Sequence, residues 1–172
     1  MQYLKNEQAR SGTKKKIVLY LLLFPGVLAL FLFIISSFSS PQWRLVVEAP
    51  LLDRSIYSLP VDSGDVFEMH YLHSVSNRTI QGSFAITGSG DIKPLATIFD
   101  SFGPGLPELD GSLEYEILNG DFIVYHDEEP REELSLFVAP LTEDRLYLND
   151  EQYDLASLFE TSTLIKIYAT SE

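Results

Sequence analysis

From Trp43 onward the chain alternates apolar and polar positions in short runs, the period-two pattern of half-buried strands. The runs are WRLVVEA (43–49), SIYSLP (55–60), VFEMHYLH (66–73), TIQGSFAIT (79–87), LATIFDSF (95–102), LEYEIL (113–118), FIVYH (122–126), LSLFVAP (134–140), RLYLN (145–149) and TLIKIYA (163–169). Helical spacing shows only in DLASLFE (154–160). Many short strands at regular spacing predict an all-β fold, an antiparallel β-sandwich or barrel-like domain over 43–172.

Ahead of this domain the texture is different. Residues 17–35, IVLYLLLFPGVLALFLFII, carry no charge, and as a helix they would run about 28 Å, close to the hydrocarbon thickness of a bilayer. The segment therefore predicts one N-terminal transmembrane α-helix, within which Pro25 and Gly26 are tolerable because neighbouring groups can satisfy the freed carbonyl. Lys5, Arg10, Lys14, Lys15 and Lys16 precede it. The positive-inside rule then makes residues 1–16 a cytoplasmic basic tail, 36–42 a linker, and 43–172 an extracytoplasmic domain of the cell membrane. A cleaved signal peptide ending near Ser37-Phe38-Ser39 is the rival; the apolar run is long for one and the site lacks the usual alanine pair.

Turn chemistry separates the strands. Asp62-Ser63-Gly64-Asp65, Gly88-Ser89-Gly90-Asp91, Asp110-Gly111, Asn119-Gly120 and Asn149-Asp150 all fall between runs. Asn119-Gly120 directly joins two alternating runs and predicts a type I′ hairpin; Asn149-Asp150 is a weaker signal of the same kind.

Charge divides at the membrane boundary. Of 12 basic and 25 acidic residues, five basic and one acidic stand in the first forty, leaving seven against twenty-four, or −17, for the rest. Such a domain repels nucleic acid and anionic headgroups, so no nucleic-acid partner is expected and the membrane enters only as the single pass. The absence of cysteine excludes disulfides, thiolate metal sites and a Cys nucleophile.

Candidate chemistry centres on EMHYLHSVSNRTI, Glu68 to Ile80. His70 and His73 on a regular strand point to opposite faces, so a Glu68, His70, His73 zinc site needs a bulge. His73-Ser74 as a base and nucleophile would need a strand-to-helix elbow that is missing. Ser74 and Asn77 suit a turn, with side chains bonding backbone. FDSFGPGLP (99–107) combines Gly103 and Gly105 with Pro104 and Pro107, a shaped loop whose Phe99 and Phe102 plug the core, but no Lys-Ser/Thr pair follows to make it a phosphate loop. HDEEPREE (126–133) lacks the carboxylate spacing and glycine of a calcium loop. Asn77-Arg78-Thr79 matches the glycosylation pattern, which is common by chance.

YLHSVSNRTI and FDSFGPGLP, with FVAP near Phe137 and YLNDEQYDLASL near the end, resemble the bacterial family called domain of unknown function eighteen-fifty, over about 45–168. The family pattern is roughly Tyr-Thr-His-Ser-Val, then Phe-Gly-Ala-Gly-Leu/Met-Pro. Tyr71, His73, Ser74, Val75, Phe102, Gly103, Gly105, Leu106 and Pro107 match it, Leu72 and Pro104 depart from it, and Gly82 stands where many members have Glu. Members often lie beside genes for tripartite (TRAP) transporters of the TAXI subtype, so the resemblance implies an accessory role with a transporter subunit or its solute-binding protein. The expectation is a non-enzymatic membrane-anchored domain with no catalytic residue, metal or cofactor. Its motif surface would be Tyr71, His73, Ser74, Phe102, Gly103, Gly105, Leu106 and Pro107. The alternatives are a small-ligand or metal-binding sensor and, below it, a hydrolase.

Overall fold

The computed structural model describes residues 43–104, 106 and 113–171, within a unit spanning Pro41–Glu172. The expected transmembrane helix at 17–35, the basic tail, the linker, Gly105, Pro107 and the Asp110-Gly111 turn lie outside the described residues. Among those described, no helix is long and apolar enough to cross a membrane.

Among the described residues, eleven strands form two antiparallel sheets. They are β1 (Trp43–Ala49), β2 (Arg54–Val61), β3 (Val66–Leu72), β4 (Thr79–Ile86), β5 (Ile92–Phe99), β6 (Tyr115–Leu118), β7 (Asp121–Tyr125), β8 (Glu133–Val138), β9 (Arg145–Leu148), β10 (Glu151–Asp154) and β11 (Thr163–Thr170). One sheet runs β2-β1-β11-β8 and the other β10-β9-β3-β4-β5-β7-β6. The chain leaves the first sheet after β8, adds β9 and β10 to the second, and returns as β11.

Alternation decides what is inside. Leu45, Val47 and Ala49 of β1 and Ile165 and Ile167 of β11 meet Phe67 and Met69 of β3 and Leu146 and Leu148 of β9 in the main core. The fold is therefore a β-sandwich, whose stability rests on the apolar area hidden between the sheets. The far half of the larger sheet carries a second core, Ile80, Phe99, Leu106 and Val124, with Tyr71, Leu113 and Phe122 at its margin. Leu106 reaches this core from the loop after β5.

Three local differences from the pattern have physical causes. β5 begins at Ile92, three residues before the apolar run, although Pro94 lies within it. The β4–β5 register shifts between Ser83 and Phe84, pairing Ser83 with Ala96 and Phe84 with Pro94, so Leu95 is the extra residue of a bulge. A proline's missing N–H is tolerated there. DLASLFE does not form a helix of any length: Glu151–Asp154 is a strand paired with β9, and only Ala156–Leu158 turns, as a single 3-10 turn. Leu155 and Phe159 plug the main core on either side of that turn.

Asn119 and Gly120 have φ of 56° and 99° between the paired Leu118 and Asp121, the geometry of a type I′ hairpin. Gly90, at φ 88°, is needed twice over. A β-carbon there would lie 2.5 Å from the Trp43 ring, which packs onto the β4–β5 turn.

Candidate functional site

β3 delivers its motif to the end of the larger sheet. Its ladder with β4 is regular from Val66 to Leu72, placing Tyr71 opposite Ile80 and His70 opposite Gln81. Without a bulge, His70 stays on the outer face, its Nε2 2.7 Å from Glu68 Oε2 and its ring 4.3 Å from that of Tyr147. His73 follows the last paired residue and turns the other way.

The turn after His73 is closed by backbone. His73 N donates to Arg78 O (2.9 Å) and His73 O accepts from Asn77 N (2.9 Å), with Asn77 in the left-handed region at φ 53°. Asn tolerates that conformation better than most residues.

The buried imidazole spans the two motifs. Nε2 lies 3.0 Å from Pro104 O, while Nδ1 lies 3.0 Å from Ser76 Oγ and receives Ser76 N–H at 3.3 Å. A carbonyl only accepts and a backbone N–H only donates, so these contacts suit a donor at Nε2 and an acceptor at Nδ1. Gly103 lies directly against it: a β-carbon there would come within 3.0 Å of His73 Cε1. Leu106 N donates to Gly103 O at 3.1 Å, closing a turn that drops the Leu106 side chain into the second core. His73 is thus a lock between the strand-end turn and the glycine loop.

Around the lock, Tyr71 sits at the second core's margin, where burial first, and then the nearby negative charge of Asp144, holds its hydroxyl above the ordinary tyrosine range. Phe102 is 51% exposed, its ring 5.4 Å from that of Phe99 and 4.6 Å from that of Phe122. Ser74 is exposed and bonds neither His73 nor the turn. The closing role expected of Ser74 belongs to Ser76. A serine three residues after a buried histidine is the local signal that sequence reasoning passed over.

A second node lies behind the lock. Leu72 N donates to Thr142 O at 2.7 Å. Asp144, 3% exposed, accepts from Thr142 Oγ1 and from Ala139 N (3.3 Å), and its carbonyl accepts from Leu155 N (2.9 Å) and Ala156 N (3.1 Å). Hydrogen bonds therefore run from the histidine motif through Leu72 to the FVAP run and on to the segment after β10. Asp144 had no flag in the sequence, where it reads as one more surface carboxylate in LTEDR.

Burial pushes the Asp144 carboxyl above the ordinary aspartate value, while its hydrogen bonds from Thr142 and Ala139 pull it down. The folded state therefore holds this proton more tightly than the unfolded chain does. The group favours folding at acid pH, and that contribution is lost as pH rises from the ordinary value of 3.8 through the higher folded value. The stability of wild type relative to Asp144→Asn should accordingly decline with rising pH in urea titrations across pH 4 to 7. A flat or rising difference would contradict the assignment.

Beside the turn, Asn77, Arg78, Thr79, Gln81, Asp100 and Asp121 line an open polar depression of about 310 Å³. Arg78 Nε lies 3.5 Å from Asp100 Oδ2 across it, an exposed pair of small energetic weight. His126 Nε2 is 2.8 Å from Thr97 Oγ1, so each of the three histidines is tied to a different partner. Among the described residues no three His, Asp or Glu side chains gather in a way that could hold a metal ion.

A two-sheet antiparallel sandwich, with a histidine lock joining its strand-end turn to a glycine loop, defines the class of domain. The chain belongs to the family described as Domain of unknown function (DUF1850), which residues 67–155 match. That span runs from Phe67 of β3 to Leu155 and includes both ends of the lock and the Asp144 node. No curated protein and no solved structure matches the chain.

Proposed function

We propose that this chain is a single-pass membrane protein, amino terminus in the cytoplasm, whose acidic β domain docks onto a solute transporter or its solute-binding protein and performs no catalysis. The observation that carries docking is an apolar ledge. Ile117 is 61% exposed and Tyr115 and Phe102 are also exposed, on the face of Phe122 and alongside the glycine loop. Contiguous exposed apolar side chains of this kind mark interaction surfaces. The anchor is supported by the uncharged run at 17–35, and the transporter link by the family resemblance. The non-catalytic reading is supported by His73, both of whose ring nitrogens are engaged, and by a Ser74 hydroxyl that does not touch it.

Crosslinking the full chain in intact membranes tests this directly. A transporter or solute-binding component should be recovered with it. Recovery of the chain alone, under conditions where a known membrane complex crosslinks, sinks the proposal.

A further inference from the structure

Among the described residues, β6 ends the seven-stranded sheet and pairs only with β7. Leu118 and Asp121 flank a two-residue hairpin and so form a hydrogen-bonded pair. Antiparallel pairs alternate between bonded and non-bonded, which makes Ile117–Phe122 and Tyr115–Val124 the non-bonded ones. The bond from Tyr125 N to Glu114 O at 2.9 Å falls where this alternation puts it. The backbone N–H and C=O of Tyr115 and Ile117 therefore point away from β7, to an edge where no described residue meets them.

The same alternation sorts the side chains. Tyr115 and Ile117 share a face with Phe122 and Val124 and continue into Phe102. Glu114 and Glu116 take the other face with Tyr125, whose hydroxyl donates to Glu116 Oε1 at 2.7 Å. That bond first, then desolvation and the charges of Glu116 and Glu114, keep the Tyr125 hydroxyl above its ordinary range. From Leu113 to His126 the sequence holds Glu114, Glu116 and Asp121 and no Lys or Arg. The unpaired N–H and C=O groups of such an edge are a template for another strand, and its single charge sign selects a partner of the opposite sign.

We propose that β6 is a docking edge that takes an extended segment of a partner protein in which apolar residues alternate with lysine or arginine. The apolar set lies on Tyr115, Ile117, Phe122 and Phe102, and the basic set beside Glu114 and Glu116. A second copy of this chain fits worse, because β6 against β6 brings like carboxylates together on one face of a domain already at −17. The proposal rests on the docking role above and narrows it to one strand and one partner chemistry.

The test uses the full chain in lipid nanodiscs and a labelled acetylated octapeptide of alternating Lys and Val, with binding read by fluorescence anisotropy. The first control peptide is N-methylated at each valine, which blocks the amides facing β6. The first variant is Ile117→Pro, which deletes an N–H that β7 does not use and should fold as wild type by circular dichroism. Each change should weaken binding at least about tenfold, and Glu114→Lys with Glu116→Lys should weaken it similarly. Equal binding of methylated and plain peptide, or of wild type and Ile117→Pro, means adsorption by charge alone and overturns the proposal. So does a concentration-dependent dimer in sedimentation that Ile117→Pro abolishes, since the occupant is then a second copy. If membrane crosslinking finds the transporter attached elsewhere on the domain, docking stands and the β6 assignment falls. If the peptide behaves as expected while crosslinking recovers the chain alone, the edge stands and the transporter link falls.

Discussion

His73→Ala should lower the unfolding free energy by about 2–3 kcal/mol and open the segment around Phe102 to limited proteolysis. The substitution leaves Pro104 O and Ser76 N–H without their ring partner, and a buried polar group left unpaired costs about 1–3 kcal/mol. It also empties the space that Gly103 keeps clear for the imidazole, which adds a cavity term. Ser74→Ala, at an exposed position, should stay within about 0.5 kcal/mol of wild type. Urea unfolding with intrinsic fluorescence distinguishes the two. A histidine kept for proton transfer is dispensable for stability, so a near-neutral His73→Ala would sink the lock.

Phe67→Ala should cost about 3–5 kcal/mol, the range for truncating a fully buried aromatic. Phe67 is 0% exposed on β3, between β4 and β9, and its ring stacks on that of Phe84 at 5.3 Å. The Phe84 ring also lies over Gly82, 3.1 Å from where a β-carbon there would stand. Phe102→Ala removes a ring of the same size from a half-exposed site, and should lose less than about 1.5 kcal/mol. Equal losses at the two positions would show that the sheets close over the missing ring, contrary to the packing of Phe67.

Much of the sandwich was legible along the chain because strands bury every second residue. Phe67, Met69 and Tyr71 are inward, and Glu68 and His70 outward, as their spacing requires. The Asn119-Gly120 turn was equally plain, since two consecutive positive φ angles restrict the choice of residue. Where the reading slipped, tertiary pairing overrode a local rule. The run read as starting at Leu95 begins at Ile92 instead, and the bulge opposite Ser83 and Phe84 removes the need for the N–H that Pro94 lacks. LASLF looked helical because Leu155 and Phe159 share a spacing, yet both are held by the main core rather than by a helix face.

The motif residues divide in the same way. That His73 could not share a site with His70 on a regular strand followed from the two-residue period alone, because successive side chains must alternate. That its ring meets Pro104, thirty-one positions on, that Ser76 and not Ser74 completes it, and that Asp144 ties FVAP to the segment after β10 were decided only by folding. Local spacing constrains neighbours on one element, whereas a hydrogen bond across the fold depends on where a loop lands. The acidic balance, the absence of cysteine and the uncharged run at 17–35 belong to the sequence and need no coordinates. The open edge at β6 belongs to the tertiary structure, because the same alternating run would read identically in the centre of a sheet, and only the strand order leaves Tyr115 and Ile117 without a neighbouring strand among the described residues.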